Sequence, residues 1–197
     1  MLMRFPSRLI LASASPRRQS LLNEAGLKFE IVVKPVNEDF PPDLKREKVA
    51  LYLAEKKASA YNDEVYSGYT IITADTIVCV DDEILGKPTD NEDAKRMLRK
   101  LSGRSHEVIT AACIRNSLDS KCFHVVTKVT FRALTDDEIL YYIENYKPFD
   151  KAGAYGIQEW IGLVAISGIE GSYNNVVGLP VAEVYEALIQ MNSGSNQ

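Results

Sequence analysis

Cysteine is scarce, with three residues, Cys79, Cys113 and Cys122, in a chain of 197. The odd count and the lack of C-x-x-C spacing argue against a disulfide framework and a cysteine zinc module. Each falls in an apolar, strand-like run, so the expectation is three buried thiols in a reducing cytosol rather than a metal or redox centre. Histidine is scarcer still, and His106 and His124 have no i, i+4 partner and no neighbouring cysteine, which argues against zinc. Long apolar runs are missing. The run over residues 9–14 stops at Ser15-Pro16-Arg17-Arg18, and none approaches the roughly 20 residues that cross a bilayer, so neither signal peptide nor membrane partner is expected and the protein reads as soluble and cytoplasmic. Positive charge is not in excess either: 23 basic against 27 acidic residues give −4, a field that disfavours DNA or RNA as partner. Any anion site must be local. The G-x-x-x-x-G-K-[ST] phosphate loop, the G-x-S-x-G elbow and repeats of 20–50 residues are also absent.

What is present is a hydrophobic fraction of 46%, enough for a sizeable core, and the punctuation of alternating strands and helices. The expectation is one α/β domain over 1–197, with two lobes and a flexible tail from about residue 192. A short strand over 9–13 leads into Ser15-Pro16, a cap followed by a proline suited to the first helical position, and a helix to about Ala25 with Gly26 as its stop. Phe29 opens a second strand. Apolar spacing predicts a helix over about 43–61, then a strand over 69–74 and a hairpin with arms 76–80 and 83–85. Thr89 with Glu92, and Thr135 with Glu138, read as capping boxes of two further helices. Long strands are predicted over 107–115 and 122–134, another over 163–169, and a last helix from Pro180.

Three features break local rules. Arg17 and Arg18 place two cations in the first turn of a helix, where the macrodipole is already positive. Either nearby carboxylates satisfy them, or they join Ser13, Ser15 and the free backbone N–H groups in a phosphate site. Lys57 lies near the apolar line of its helix, so its stem either snorkels to water or projects into a cleft. Asp75 follows an apolar run and precedes another. It is either a turn aspartate bonded to local backbone, or a carboxylate that needs a partner, a metal ion or a raised pKa. Glu38 and Lys87, taken singly, read as surface charge.

Taken in order, the phrases LASASPRR (11–18), Glu38, Lys57-Ala58, Ala74-Asp75-Thr76, Gly86-Lys87-Pro88, LSGRSH (101–106), DKAGAYGIQ (150–158), Gly171-Ser172-Tyr173 and VGLP (177–180) resemble the Maf family of nucleoside triphosphate pyrophosphatases over about residues 9–188. The resemblance implies an α/β fold related to the inosine-triphosphate pyrophosphatases, with an elongated mixed β-sheet, flanking helices and a cleft between two lobes. It also implies hydrolysis of a nucleoside triphosphate to monophosphate and pyrophosphate with a divalent metal, usually Mg2+, and a homodimer. The phrase ending at Gln158 is similar to the branch acting on dTTP and UTP. A 7-methyl-GTP pyrophosphatase and a nucleotide-binding regulator of cell division are the alternatives.

Carried over position by position, the resemblance makes Asp75 the general base and Glu38 a second acid, the two as metal ligands. Ser13, Arg17, Arg18, Lys57 and Lys87 match triphosphate-holding positions, with Lys57 and Lys87 in the catalytic set. Arg17, Thr76 and Gln158 match positions associated with substrate choice. One stretch departs from the family pattern: after Gln158, where a small residue is usual, the chain has Glu159-Trp160-Ile161. Trp160 is expected either to wall the base pocket or to plug a lobe interface.

Overall fold

The computed structural model describes residues 5–6, 8–62 and 64–194. In chain order the elements are β1 (Leu9–Leu11), α1 (Pro16–Glu24), β2 (Glu30–Ile31), α2 (Glu47–Ser59), β3 (Thr70–Val80), β4 (Glu83–Leu85) and α3 (Asn91–Leu101). They continue with β5 (Ser105–Arg115), β6 (Ser120–Phe131), α4 (Asp136–Tyr146), α5 (Trp160–Ala165), β7 (Ile166–Glu170), α6 (Tyr173–Val177) and α7 (Val181–Gly194). Among the described residues the strands form one seven-stranded mixed sheet in the order β2-β1-β3-β5-β6-β7, with β4 on β3. β1 pairs in parallel with both β2 and β3, whereas β3–β4 and β6–β7 are antiparallel. This is the expected α/β class with a mixed sheet and flanking helices.

The chain divides into two compact units, 1–75 with 110–125 and 178–197, and 76–109 with 126–177. In the first, β1 is buried throughout, α1 buries Leu21 and Leu22, and α2 buries Val49, Ala50, Leu53, Ala54 and Ala58. Ile10, Ile71 and Tyr61 pack together there. The Thr73 hydroxyl, on β3, donates to the Ala54 carbonyl at 2.7 Å and so ties the strand to α2. In the second unit α3 packs on α4, and the Arg99 guanidinium grips both Asp136 oxygens at 2.9 and 2.7 Å. Asn175 is buried there and donates to the Val108 carbonyl and to Thr127 Oγ1, each at 3.0 Å.

Several elements differ from the sequence expectation. The strand over 69–74 and the first hairpin arm are one strand, β3, because its apolar run continues past Asp75 and stays buried. Its hairpin closes through Asp81 and Asp82, with φ of 50° and 64°, the left-handed pair that a two-residue turn needs. The cap of α3 lies one residue beyond Thr89: Asp90 accepts the Asp93 N–H at 2.8 Å, and Asp93 reaches back to the Thr89 N–H at 3.1 Å. The Thr135–Glu138 capping box is present as read. The predicted strand over 163–169 begins as helix α5, since Ile161 and Ala165, four apart, are buried while Leu163 is 82% exposed. Backbone expected as tail from about 192 is helical to Gly194, and residues 195–197 lie outside the described part.

The expectation of three free thiols is corrected. Cys113 and Cys122 form a disulfide with their Cα atoms 4.1 Å apart, and Cys79 is a buried cysteine outside any disulfide. The Asn116 N–H bonds the Asp119 carbonyl at 3.0 Å, closing the turn between β5 and β6 and bringing the two cysteines, each three residues outside it, opposite one another.

His106 is buried in the second unit, with Nε2 2.8 Å from the Tyr155 hydroxyl and its ring edge-on to Phe131 and Tyr155. Burial pulls its pKa from 6.5 to about 4. The unfolded chain therefore binds a proton first as pH falls. Stability from this group is complete above about pH 6.5 and declines toward pH 4, a loss of about 3 kcal/mol. Denaturant unfolding at pH 7 and pH 4.5 should show this decline in the wild type and a shallower one in His106→Gln; parallel declines would contradict a neutral buried imidazole.

Candidate active site

The first unit gathers most of the residues singled out from the sequence. β1 ends at Leu11, and the Ala12 N–H donates to the Ile72 carbonyl at 2.8 Å, holding the strand's exit beside β3. Ser13 is buried at this exit, and its Oγ accepts the Ser15 N–H at 3.2 Å. Pro16 then starts α1, in whose first turn there is no acidic residue to meet Arg17 and Arg18. Arg18 reaches the backbone: its Nε donates to the Gly178 carbonyl at 2.7 Å, and its Nη1 to the Ala74 carbonyl at 2.8 Å and to Ser13 Oγ at 3.4 Å. Arg18 thus clamps the backbone directly before Asp75. Burial is the largest influence on its guanidinium and lowers the pKa; Asp75 opposes this, Arg17 lowers it further and Glu38 opposes it.

Asp75 stands inside β3, 8% exposed, not at a strand end or in a turn. Its Oδ1 receives the Lys57 ammonium at 2.5 Å, and the same ammonium lies 2.8 Å from Glu38 Oε1. Lys57 comes from the last turn of α2, and its side chain is only 18% exposed, so it projects inward rather than snorkelling to water. Glu38 comes from the irregular stretch between β2 and α2 and is the most exposed of the three, at 46% of its side chain. That stretch is shaped locally. Asn37 and Asp39 exchange hydrogen bonds at 2.7 Å, and the Lys56 ammonium, from α2, donates to the Asp39 carbonyl at 2.9 Å.

One ammonium bridging two carboxylates is an arrangement a polyphosphate can rearrange, since its oxygens compete for the same cation. The donor chemistry also fits a divalent metal. Glu38 and Asp75 supply hard carboxylate oxygens, and magnesium takes one or two protein carboxylates while completing its shell with water and phosphate oxygens. No group of three or more His, Cys, Asp or Glu able to hold a metal occurs among the described residues, so the protein's share would be this pair.

Thr76, Lys87 and Gln158 belong to the second unit. Thr76 continues β3 and is half-buried; Lys87 is exposed just after β4. The Gly86 carbonyl before Lys87 accepts the Gly153 N–H at 3.0 Å, tying that exit to the short turn Ala152–Ala154. Gly153 has φ of 69°, and a Cβ there would lie 2.9 Å from Val78, so glycine permits the close approach to β3. Gln158 is exposed, three residues beyond Tyr155. Trp160 packs edge-on against Tyr141 of α4, ring centroids 4.9 Å apart, which gives the only tryptophan a packing role within this unit.

Sequence reasoning missed the carbonyls of Ala74 and Gly178 as the seats of Arg18. Backbone acceptors carry no residue signature, although the V-G-L-P phrase marked the place of the second. It also missed the ion pair between the buried Lys151 and the half-buried Glu159, 3.0 Å apart.

The model of the Maf-like protein family matches residues 8–191. A dTTP/UTP pyrophosphatase of Flavobacterium johnsoniae is 51% identical over 181 residues, covering 92% of this chain and 93% of that protein. Another dTTP/UTP pyrophosphatase, from Phocaeicola vulgatus, is 50% identical over 182 residues, covering 92% and 94%. Among solved structures, the Staphylococcus aureus Ham1 protein aligns over 92% of this chain and 100% of its own, with 14% identity and a TM-score of 0.47. The family model spans nearly the whole chain and the relatives share about half its residues, so the chain belongs to the Maf-like protein family.

Proposed function

We propose that this protein hydrolyses dTTP and UTP to the monophosphate and pyrophosphate. The observation that carries the reading is the Lys57 ammonium held between Glu38 and Asp75 beside the Arg18 clamp, in a chain about 50% identical to proteins named for that activity. Asp75 is the general base. It takes a proton from the water whose oxygen bonds to the α-phosphorus, while the bond from that phosphorus to the bridging oxygen breaks and pyrophosphate leaves. Before it can do so, Lys57 must give up its hold on the carboxylate, and a phosphate oxygen is the natural competitor for it. Lys57, Lys87 and Arg17 then balance charge on the phosphate oxygens, which is the larger share of catalysis in phosphoryl chemistry.

Glu38 and Asp75 would hold a divalent cation, magnesium by the donor chemistry, which when bound supplies further charge neutralisation on the phosphates. Thr76 and Gln158 bear on substrate choice; the Gln158 amide can both donate and accept at the edge of a pyrimidine. No helix among the described residues is long and apolar enough to cross a membrane. A free nucleotide substrate supports a cytoplasmic place of action, where the state of Cys113 and Cys122 follows the local thiol poise. The family resemblance adds a homodimer to the proposal, which sedimentation tests.

A panel of nucleoside triphosphates assayed for pyrophosphate release should show dTTP and UTP turned over fastest. A clear preference for 7-methyl-GTP would overturn the substrate assignment, and binding without turnover at saturating magnesium would favour a regulator instead. Asp75→Asn should lose about 10²–10⁴-fold in kcat with its unfolding midpoint kept, as expected for a missing general base. Turnover close to normal would remove Asp75 from that role. Because Arg18 clamps the Ala74 and Gly178 carbonyls, Arg18→Ala should lower both thermal stability and kcat, while Arg17→Ala acts mainly by raising KM. Indistinguishable effects of the two on Tm and KM would contradict that division of labour.

A further inference from the structure

The segment that departs from the family pattern is built around a closed set of contacts within the second unit. The Gly156 N–H donates to the Tyr142 hydroxyl at 3.0 Å, and that hydroxyl donates in turn to Glu159 Oε2 in a short hydrogen bond. The Glu159 N–H donates back to the Gly156 carbonyl at 3.0 Å, closing a turn over residues 156–159. The ring therefore encloses the two residues between, Ile157 and Gln158. From the other side Lys151, whose side chain is 9% exposed, places its ammonium 3.0 Å from Glu159 Oε1 and 2.7 Å from Asp150 Oδ1.

Space is as tightly held as polarity. A Cβ on Gly156 would lie 2.9 Å from Glu159 Cδ and 3.0 Å from Lys151 Cε, so the ion pair lies directly over the glycine. A Cβ on Gly162 would lie 1.8 Å from the Ile157 carbonyl oxygen, so α5 presses on the backbone directly before Gln158. Tyr142 is fully buried in α4, and Ile157 is buried, while Gln158 between the pinned residues is exposed. A surface glutamine ordinarily samples many rotamers on a mobile loop; here its backbone is fixed from both neighbours.

We infer that Glu159, held by Tyr142 and Lys151, is a positioning residue for base recognition: it fixes the turn that presents the Gln158 amide to a pyrimidine with a 4-oxo edge. The inference rests on the pyrimidine triphosphatase reading above. The chemistry follows from geometry, since a hydrogen-bonding group discriminates between bases only when its place is fixed, and displacement of an ångström forfeits much of the contact. Neither Glu159 nor Tyr142 is given contact with substrate; both act through Gln158.

The test compares kcat/KM for UTP against CTP in the full-length protein. Glu159→Gln and Tyr142→Phe should each narrow the UTP preference by about tenfold, through KM for UTP more than through kcat, in line with a mispositioned binding group. Gln158→Ala should narrow it to a similar degree alone, and should add little in the Glu159→Gln background, because the two changes remove one function. A Glu159→Gln protein with lowered Tm but the wild-type ratio would overturn the inference and leave the ring a purely structural element; so would full additivity of the Gln158 and Glu159 changes. Tyr142→Phe, which removes a single oxygen, keeps the test open should the Glu159 variant fold poorly. A wild-type protein that does not prefer UTP to CTP would instead bring down the substrate reading, and the inference with it.

Discussion

A carboxylate in the middle of a buried strand must be matched by a cation, and that requirement organises the first unit. Asp75 interrupts a run of apolar side chains in β3, where an unpaired charge would cost several kcal/mol in desolvation. Lys57 answers it from α2, and the Thr73 hydroxyl on the Ala54 carbonyl keeps that helix against the strand. Arg18 adds a second constraint by seizing the carbonyl of Ala74, so the backbone that carries the carboxylate is fixed one residue before it. The residues proposed for catalysis are thus also those that reconcile a charge with its burial, and function and stability are coupled there.

The second unit solves a different problem. It presents an exposed amide, Gln158, from a segment rich in glycine and alanine whose Tyr155 and Ile157 are buried. Glycines allow close approach to Val78 at Gly153 and to the Glu159–Lys151 pair at Gly156, and the ring of hydrogen bonds through Tyr142 supplies the rigidity. Burial, then the Glu159 hydrogen bond, holds the Tyr142 hydroxyl protonated, which keeps it a donor to that carboxylate. The neighbouring His106 is kept neutral by burial as well, so the unit carries little charge in its interior apart from the paired Lys151.

Much of this was legible in residue order. The start of α1 at Pro16, the Thr135–Glu138 capping box and the Gly26 stop are local chemistry, set by backbone groups within a turn of the residue concerned, although the Ser15 side chain makes no cap bond. The awkwardness of Arg17, Arg18, Lys57 and Asp75 was legible too, because each violates an expectation that depends only on its own helix or strand. Less legible was anything decided by a partner distant in sequence. Residue order splits β3 in two because a charged residue usually ends a strand, and nothing local announces that Lys57 allows it to continue. The end of α5 resembles a strand in residue order, because a short apolar run has no period of its own until Ile161 and Ala165 are buried and Leu163 is not. The pairing of Cys113 with Cys122 is invisible in residue order because it depends on the register of the hairpin that sets them opposite one another.

Residue order alone carries the α/β alternation, the helix starts and stops, the small net negative charge, and the identities of the ions to be reconciled. Local sterics, capping and the desolvation of charge act at the scale of a few residues. Tertiary structure alone decided which ion meets which. It set one ammonium between Glu38 and Asp75, seated Arg18 on the Ala74 and Gly178 carbonyls, and closed the Gly156–Glu159 turn through Tyr142. Those choices follow from strand pairing and helix packing between segments tens of residues apart, and a hydrogen bond is made or lost over distances that only the folded chain fixes.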